Sequence, residues 1–301
     1  METPHKVRFI PLLLTLLLLI MMAVPTVPSV SLAAQPTVNL GTTKSFAVLA
    51  GSEITNTGPT TINGDVGLHP GTAFTGQDEA TISGEVHLAD DVAEQAKEDL
   101  VTAYNDAAGR QPVTTIPTEL GGTTLTPGIY DSASGTFQIT GTLTLDAEGD
   151  PDGVFVFQTA STLITASGSS VSLINGAQFC RIFWQVGSSA TLGTDSEFVG
   201  HILALQSITA ETGATVQGQL LARNGAVTLD GNTINNEACA TDGDDENGNG
   251  EGVTNDEEEE DLPRTGGYPY FILGLIALAG GTIILKKRKG VDTELLSNSK
   301  K

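Results

Sequence analysis

The chain has 301 residues and a formal net charge of −22, set by 36 Asp and Glu against 14 Lys and Arg. With no basic patch in the sequence, that balance excludes a nucleic-acid-binding surface. Gly is abundant at 35 residues while aromatic residues make up 5%. This composition argues for a β-rich fold with many turns and a surface covered by Thr and Ser hydroxyls.

The chain opens on a cationic stretch holding Lys6 and Arg8, a nearly all-apolar run over residues 10–24, and small residues at Ser31-Leu32-Ala33. That order predicts a secretory signal peptide over residues 1–34, cleaved near Ala33 or Ala34. Residues 35–239 then fit one exported domain. Within it the pattern apolar–x–Gly–polar–apolar returns at Ile62-x-Gly64-x-Val66, Ile82-x-Gly84-x-Val86, Phe198-x-Gly200-x-Ile202 and Val216-x-Gly218-x-Leu220. A longer match pairs residues 52–60 with 207–215. Short alternating runs that recur about every 20 residues, with Gly at the corners, predict an all-β solenoid. Three strands and three corners per turn would give it a triangular section.

Residues 90–110 interrupt the repeats. Val92, Ala96, Leu100 and Tyr104 fall at i, i+4 spacing, with Ala93, Ala103 and Ala107 alongside and Glu94, Lys97 and Glu98 off the stripe. An amphipathic helix is expected here, ending near Gly109. Matching repeats lie on both sides of it in sequence. The N-terminal and C-terminal coils are therefore expected to stack on each other, making the solenoid discontinuous.

Two cysteines in an exported chain, Cys180 and Cys239, predict a disulfide that ties the end of the domain to its body. Residues 240–261 then carry eleven carboxylates and no Lys or Arg. Such a segment cannot bury enough apolar surface to fold, so it reads as an acidic, disordered spacer. Residues 242–248 faintly resemble a calcium loop but lack its closing Glu and flanking helices, which favours the solvated spacer.

Leu262-Pro263-Arg264-Thr265-Gly266 follows, then an apolar segment over 268–285 and a basic tail over 286–301 that opens on Lys286-Lys287-Arg288-Lys289. The apolar segment is long enough to cross a bilayer, and the cluster suits the cytoplasmic side. A pentapeptide, an apolar span and a cationic stop in this order resemble the cell-wall sorting signal of Gram-positive surface proteins. The resemblance implies that a sortase cuts between Thr265 and Gly266 and joins Thr265 to peptidoglycan. The span would then be a transient membrane anchor, and the mature protein would stand on the cell wall.

Inside the domain, Leu49-Ala50-Gly51-Ser52, Gly64-Asp65-Val66-Gly67, Ala103-Tyr104-Asn105-Asp106-Ala107, Leu125-Thr126-Pro127-Gly128-Ile129-Tyr130, Gly141-Thr142-Leu143-Thr144-Leu145-Asp146, the run over 183–193 and the run over 221–229 resemble the ice-binding proteins of the DUF3494 family. The similarity covers about residues 40–234. It implies a discontinuous right-handed β-helix with one long α-helix packed alongside, a monomeric domain, and the water lattice of ice as partner without a cofactor. It also implies contact through Thr-Ala/Gly-x-Thr/Asn motifs. Thr57-Gly58-Pro59-Thr60, Thr72-Ala73-Phe74-Thr75, Thr159-Ala160-Ser161-Thr162, Thr209-Ala210-Glu211-Thr212 and Thr212-Gly213-Ala214-Thr215 match that pattern.

Coil against coil, Thr162, Thr191, Thr209 and Thr228 line up as one column, each followed by Leu or Ala. Thr165, Thr194 and Thr212 form a second column three residues on, which lapses at Gly231. Coils stacked about 4.8 Å apart would turn these columns into straight files on a flat face. Hydroxyls there can anchor water at lattice spacing, and methyls discourage competing hydration. The expected ice-binding set is thus Thr57, Thr60, Thr162, Thr165, Thr191, Thr194, Thr209, Thr212 and Thr228, with outward residues around Ala50 and Ala222 as the next candidate face. The alternative function is a surface adhesin that binds carbohydrate or protein through the same face.

No enzyme, metal site or cofactor is expected. Asp195, Glu197, Glu211, Asp230, Arg181 and Arg223 are scattered, and no carboxylate pair recurs at the spacing glycoside hydrolysis needs. His69, His87 and His201 belong to separate coils. His201 follows Gly200 where other repeats carry Asp65, Glu85 and Gln219, which places it at a surface turn rather than on a metal.

Overall fold

The structure is a computed structural model that describes residues 35–237. The signal peptide, Cys239, the acidic spacer, the sorting motif, the apolar segment and the basic tail fall outside the described residues. Among the described residues no helix is long and apolar enough to cross a membrane.

Every strand pairing is parallel, and the strands form one 15-stranded and one 7-stranded sheet. The pairings resolve into three ladders. The front ladder is the 7-stranded sheet, stacked in the order Phe137–Ile139, Leu163–Thr165, Ala190–Leu192, Ile208–Ala210, Val227–Asp230, Glu53–Thr57, Ala73–Thr75. The C-terminal coil is thus followed in space by the N-terminal one, with Val227 paired to Ile54. This is the discontinuity expected from repeats on both sides of the helix. The larger sheet holds a side ladder, including Thr142–Asp146, Ser170–Ile174, Thr233–Asn235 and Thr60–Asn63. It also holds a covered ladder, including Phe155–Thr159, Ile182–Val186 and Phe46–Ala50.

Two long strands, Glu197–Ala204 and Thr215–Ala222, run through both of these ladders and join them. They bend at Gly200 and Gly218, which pair in register and hold φ of +111° and +143°. A Cβ on Gly218 would stand 2.1 Å from the Gly200 carbonyl oxygen, so no other residue fits where these two corners stack. The sequence repeat built around glycine is therefore the corner between the side and covered ladders.

The helix α1, Asp91–Gly109, follows the first coils. Asp90 caps it by accepting from the Ala93 amide at 2.8 Å, which satisfies one orphan N–H of the first turn. Its buried face is Ala93, Ala96, Lys97, Leu100, Ala103, Tyr104 and Ala107. Two residues depart from the expected stripe. Val92 is exposed, while Lys97 is buried, because the face is centred on the alanines that permit close approach to the sheet. That face lies on the outer side chains of the covered ladder: Phe46, Leu49, Ile129, Val156, Phe183, Leu203 and Leu221 form one apolar cluster with Leu100 and Ala103. Strands such as Phe46–Ala50 and Ile182–Val186 are consequently buried on both sides.

The solenoid interior is a second cluster, filled by the inward residues of each strand, such as Leu143 and Leu145, Phe155 and Phe157, or Ile182, Trp184 and Val186. Aromatic rings on neighbouring coils stack there. Phe157 and Trp184 are register partners with centroids 3.9 Å apart, and the Trp184 indole N–H donates to the Val199 carbonyl at 3.1 Å. Cys180 packs, partly buried, against this core.

Candidate functional site

The helix decides which faces remain available. Ala50 and Ala222 point into the solenoid core and are fully buried, and their outward neighbours Leu49 and Leu221 pack under the helix, so this ladder offers no outward surface. Among the described residues nothing covers the front ladder in this way. In its strands Phe137–Ile139, Leu163–Thr165, Ala190–Leu192 and Ile208–Ala210 the first and third residues point inward and the middle one outward, whereas Ala73–Thr75 turns Phe74 inward and Thr75 outward. Pairing sets the outward file strand by strand: Gln138, Ile164, Thr191, Thr209, Thr228, Thr55, Thr75. Threonine thus occupies consecutive rungs from Thr191 to Thr75. The neighbouring rungs are about 4.8 Å apart, and Thr191, Thr209, Thr228 and Thr55 are each anchored between two inward residues.

Thr191, Thr209 and Thr228 stand together in this file, as their shared spacing predicted. The other alignments are corrected. Thr162 precedes Leu163, which pairs with Ala190, so its neighbours are Ser189 and Ser207 and the rung beside Thr191 is Ile164. A slip of two residues preserves the in–out alternation, which is why the sequence pattern alone did not reveal it. Thr162 still belongs to a hydroxyl-rich row on this side, its Oγ1 3.2 Å from Thr136 Oγ1. Thr165 points inward and is 4% exposed, its hydroxyl accepting from the Gly193 amide at 2.9 Å. Thr60 is likewise buried and accepts from the Asn232 amide.

Thr194 and Thr212 lie at the corner after the front strands, not on the flat face. Each donates its hydroxyl to a carboxylate of the next coil, Thr194 to Glu211 at 3.3 Å and Thr212 to Asp230. Thr57 is exposed beside Asp230, its register partner. These carboxylates edge the Thr file on one side, and the hydroxyl row of Thr162, Ser189 and Ser207 edges it on the other.

Sequence reasoning missed Thr55 and Thr75. The match of residues 52–60 to 207–215 sets Thr55 against Ala210, one residue off the Thr209 rung that the strand pairing gives it, and so hid it. Thr75 required the pairing of the first coil with the second.

His201 is not at a surface turn. It is 3% exposed and packs near Phe179 and Phe183, because Gly200 turns the strand under the N-terminal segment. Burial pushes its pKa down to about 4, outweighing the opposing pull of the Cys180 backbone and the Gln219 side chain. Among the described residues no group of three His, Cys, Asp or Glu could hold a metal ion.

A model of the family described as Ice-binding-like matches residues 48–235. The chain is 50% identical over 204 residues to an ice-binding protein of Nostoc sp. (strain HG1), a match that covers 67% of this chain and 75% of that relative. It is 36% identical over 228 residues to ice-binding protein 1 of Shewanella frigidimarina (strain NCIMB 400), covering 65% of this chain and only 25% of that longer protein. Among solved structures, an ice binding protein from an Antarctic biological consortium superposes with a TM-score of 0.66 at 50% identity, over 67% of this chain and 91% of that one. The chain belongs to the Ice-binding-like family.

Proposed function

We propose that this member of the Ice-binding-like family binds ice through the front ladder and is displayed on a Gram-positive-type cell wall. The relatives it matches are themselves named for ice binding. The observation that carries the reading for this chain is the file Thr191, Thr209, Thr228, Thr55 and Thr75, held in register on the open ladder while the helix closes another.

The three ladders read as the sides of a right-handed solenoid of triangular section, with the Thr file along one flat side. Such a file presents a methyl and a hydroxyl at each rung about every 4.8 Å. The methyls limit competing hydration, and the hydroxyls hold water in a repeating array that an ice surface can adopt. Adsorption of this kind needs no reacting group, metal or cofactor. Thr162, Thr57, Thr194 and Thr212 flank the file as its rim.

The sorting signal supports wall display. The chain would cross the membrane behind its signal peptide, be cut between Thr265 and Gly266, and stand on its acidic spacer. An anchored ice-binding protein would hold the cell to ice or restrain crystal growth next to the wall. The test is direct: fluorescently labelled protein carrying the domain should coat a growing ice crystal. A crystal that stays dark would leave the adhesin reading, in which the same face binds carbohydrate or protein, as the better one.

A further inference from the structure

The side ladder carries a second row of threonines. Pairing places Thr215, Thr233, Thr61 and Thr81 on consecutive rungs, and all four are exposed. Two residues further along the strands, roughly 7 Å away, Gln217, Asn235 and Asn63 form a parallel row of amides. Val216, Ile234 and Ile62 lie between the two rows and point into the core, which fixes the grid from beneath. The threonine row stops at Glu197, the register partner of Thr215.

The coils that carry this row are the same ones that carry the front file beyond Thr191. Thr209 and Thr215 share one coil, Thr228 and Thr233 the next, Thr55 and Thr61 the third, and Thr75 and Thr81 the fourth. Between the members of each pair the chain turns, with Gly213, Gly231, Gly58 and Gly76 in the left-handed region. The two rows therefore lie on different sides of the solenoid and not in one plane. Although the chain has a net charge of −22, the outward side chains of this grid are all neutral hydroxyls and amides. None is an aromatic residue, Met or Arg, the types that anchor protein interfaces, and there is no ring against which the C–H face of a sugar could lie. What the grid offers is hydrogen-bonding groups and Thr methyls at a fixed repeat in two directions, which suits an ordered water lattice.

We propose that the side ladder is a second ice-adsorbing face, formed by Thr215, Thr233, Thr61 and Thr81 with the amides of Gln217, Asn235 and Asn63. The inference rests on the reading that the front file binds ice and adds a second face to it. Because the chain turns a corner between the two rows, each meets a crystal plane of different orientation. One domain then adsorbs to two sets of planes, and the exposed Glu197 marks where the second face ends.

The test uses the full chain, fluorescently labelled and frozen slowly into a hemisphere grown from one ice crystal, where fluorescence marks each plane that adsorbs protein. The parent should light two differently oriented sets of planes. Thr61→Tyr and Thr233→Tyr, in the middle of the side row, should each darken one set and leave the other. Thr209→Tyr, on the front file, should darken the set that they leave. If either side variant loses the β spectrum in circular dichroism, Thr61→Lys, which sets a charge on an exposed position, serves in its place with the same expectation. A parent that lights one set only, or two sets that survive every side-ladder change, overturns the second face and leaves the front reading standing. A parent that lights no plane overturns ice binding by both faces.

Discussion

The ammonium of Lys97, on the buried face of the helix, donates to the backbone carbonyl of Ala222 in the solenoid strand beneath it. Arg223, the next residue, stacks its guanidinium 4.7 Å from the Tyr104 ring centre. Two basic side chains thus lie in the seam between the helix and the covered ladder, beside the alanines and Leu100 that pack there.

Burial, reinforced by the nearby Arg223 charge, lowers the Lys97 pKa from 10.5 to about 7. The folded value lies below the unfolded one, so between about pH 7 and 10.5 the unfolded chain binds more protons and stability rises with pH. Below pH 7 the whole penalty applies. Lys97→Met should therefore be more stable than the parent at pH 6, with the gap shrinking as pH rises toward 10.5, by on the order of 4–5 kcal/mol across that range. Urea melts of both proteins at several pH values check this, since other titrating groups cancel in the difference. A gap that does not change with pH would mean Lys97 is not charged-and-buried as described.

Ice adsorption depends on flatness as well as on hydroxyls. Thr209→Tyr and Thr228→Tyr, in the middle of the file, should each sharply reduce ice-crystal shaping, while stability changes by no more than about 0.5 kcal/mol. Thr165→Val, at an inward position wrongly grouped with the file by spacing, should leave ice shaping intact and lower stability by about 1 kcal/mol through the lost bond to Gly193. Ice shaping by the Tyr variants that matches the parent would move the binding surface off the front ladder.

Gly218→Ala forces a Cβ against the Gly200 carbonyl, 2.1 Å away, at a φ of +143°. The expected loss is at least about 3 kcal/mol. Gly231→Ala, at φ +58° with open space around it, should cost only about 1 kcal/mol. Denaturant midpoints rank the two, and equal losses would show that the stacked corner is not the constraint.

Thr265→Ala should leave the protein uncoupled from the cell wall, recovered in membrane or medium. Mutant protein that still fractionates covalently with purified peptidoglycan would rule out sorting at this motif.

A bridge between Cys180 and Cys239 would close a loop of about 60 residues and stabilise by about 4 kcal/mol in the chain-entropy model. Thiol labelling of the unfolded, unreduced protein should then find no reactive cysteine. Full labelling at both positions would exclude the bridge.

Much of the fold was legible in the sequence because it is written in local chemistry. The Asp90 cap and the alanine stripe specify the helix, and glycine at 200 and 218 marks corners that only glycine can turn. Thr191, Thr209 and Thr228 share a file because each stands between inward apolar residues at the same offset. The rest depends on contacts between segments far apart in the chain. A two-residue slip leaves the alternation intact, so only cross-coil hydrogen bonds could exchange Thr162 for Ile164 and bring Thr55 and Thr75 up to Thr228; Thr165, next but one to the inward Leu163, is turned inward by the alternation itself. Which ladder is covered, and hence why Leu49, Leu221, Lys97 and His201 are buried, was decided when the helix and the N-terminal segment packed down. Periodicity reports which side of a strand a residue faces, but not what lies on that side.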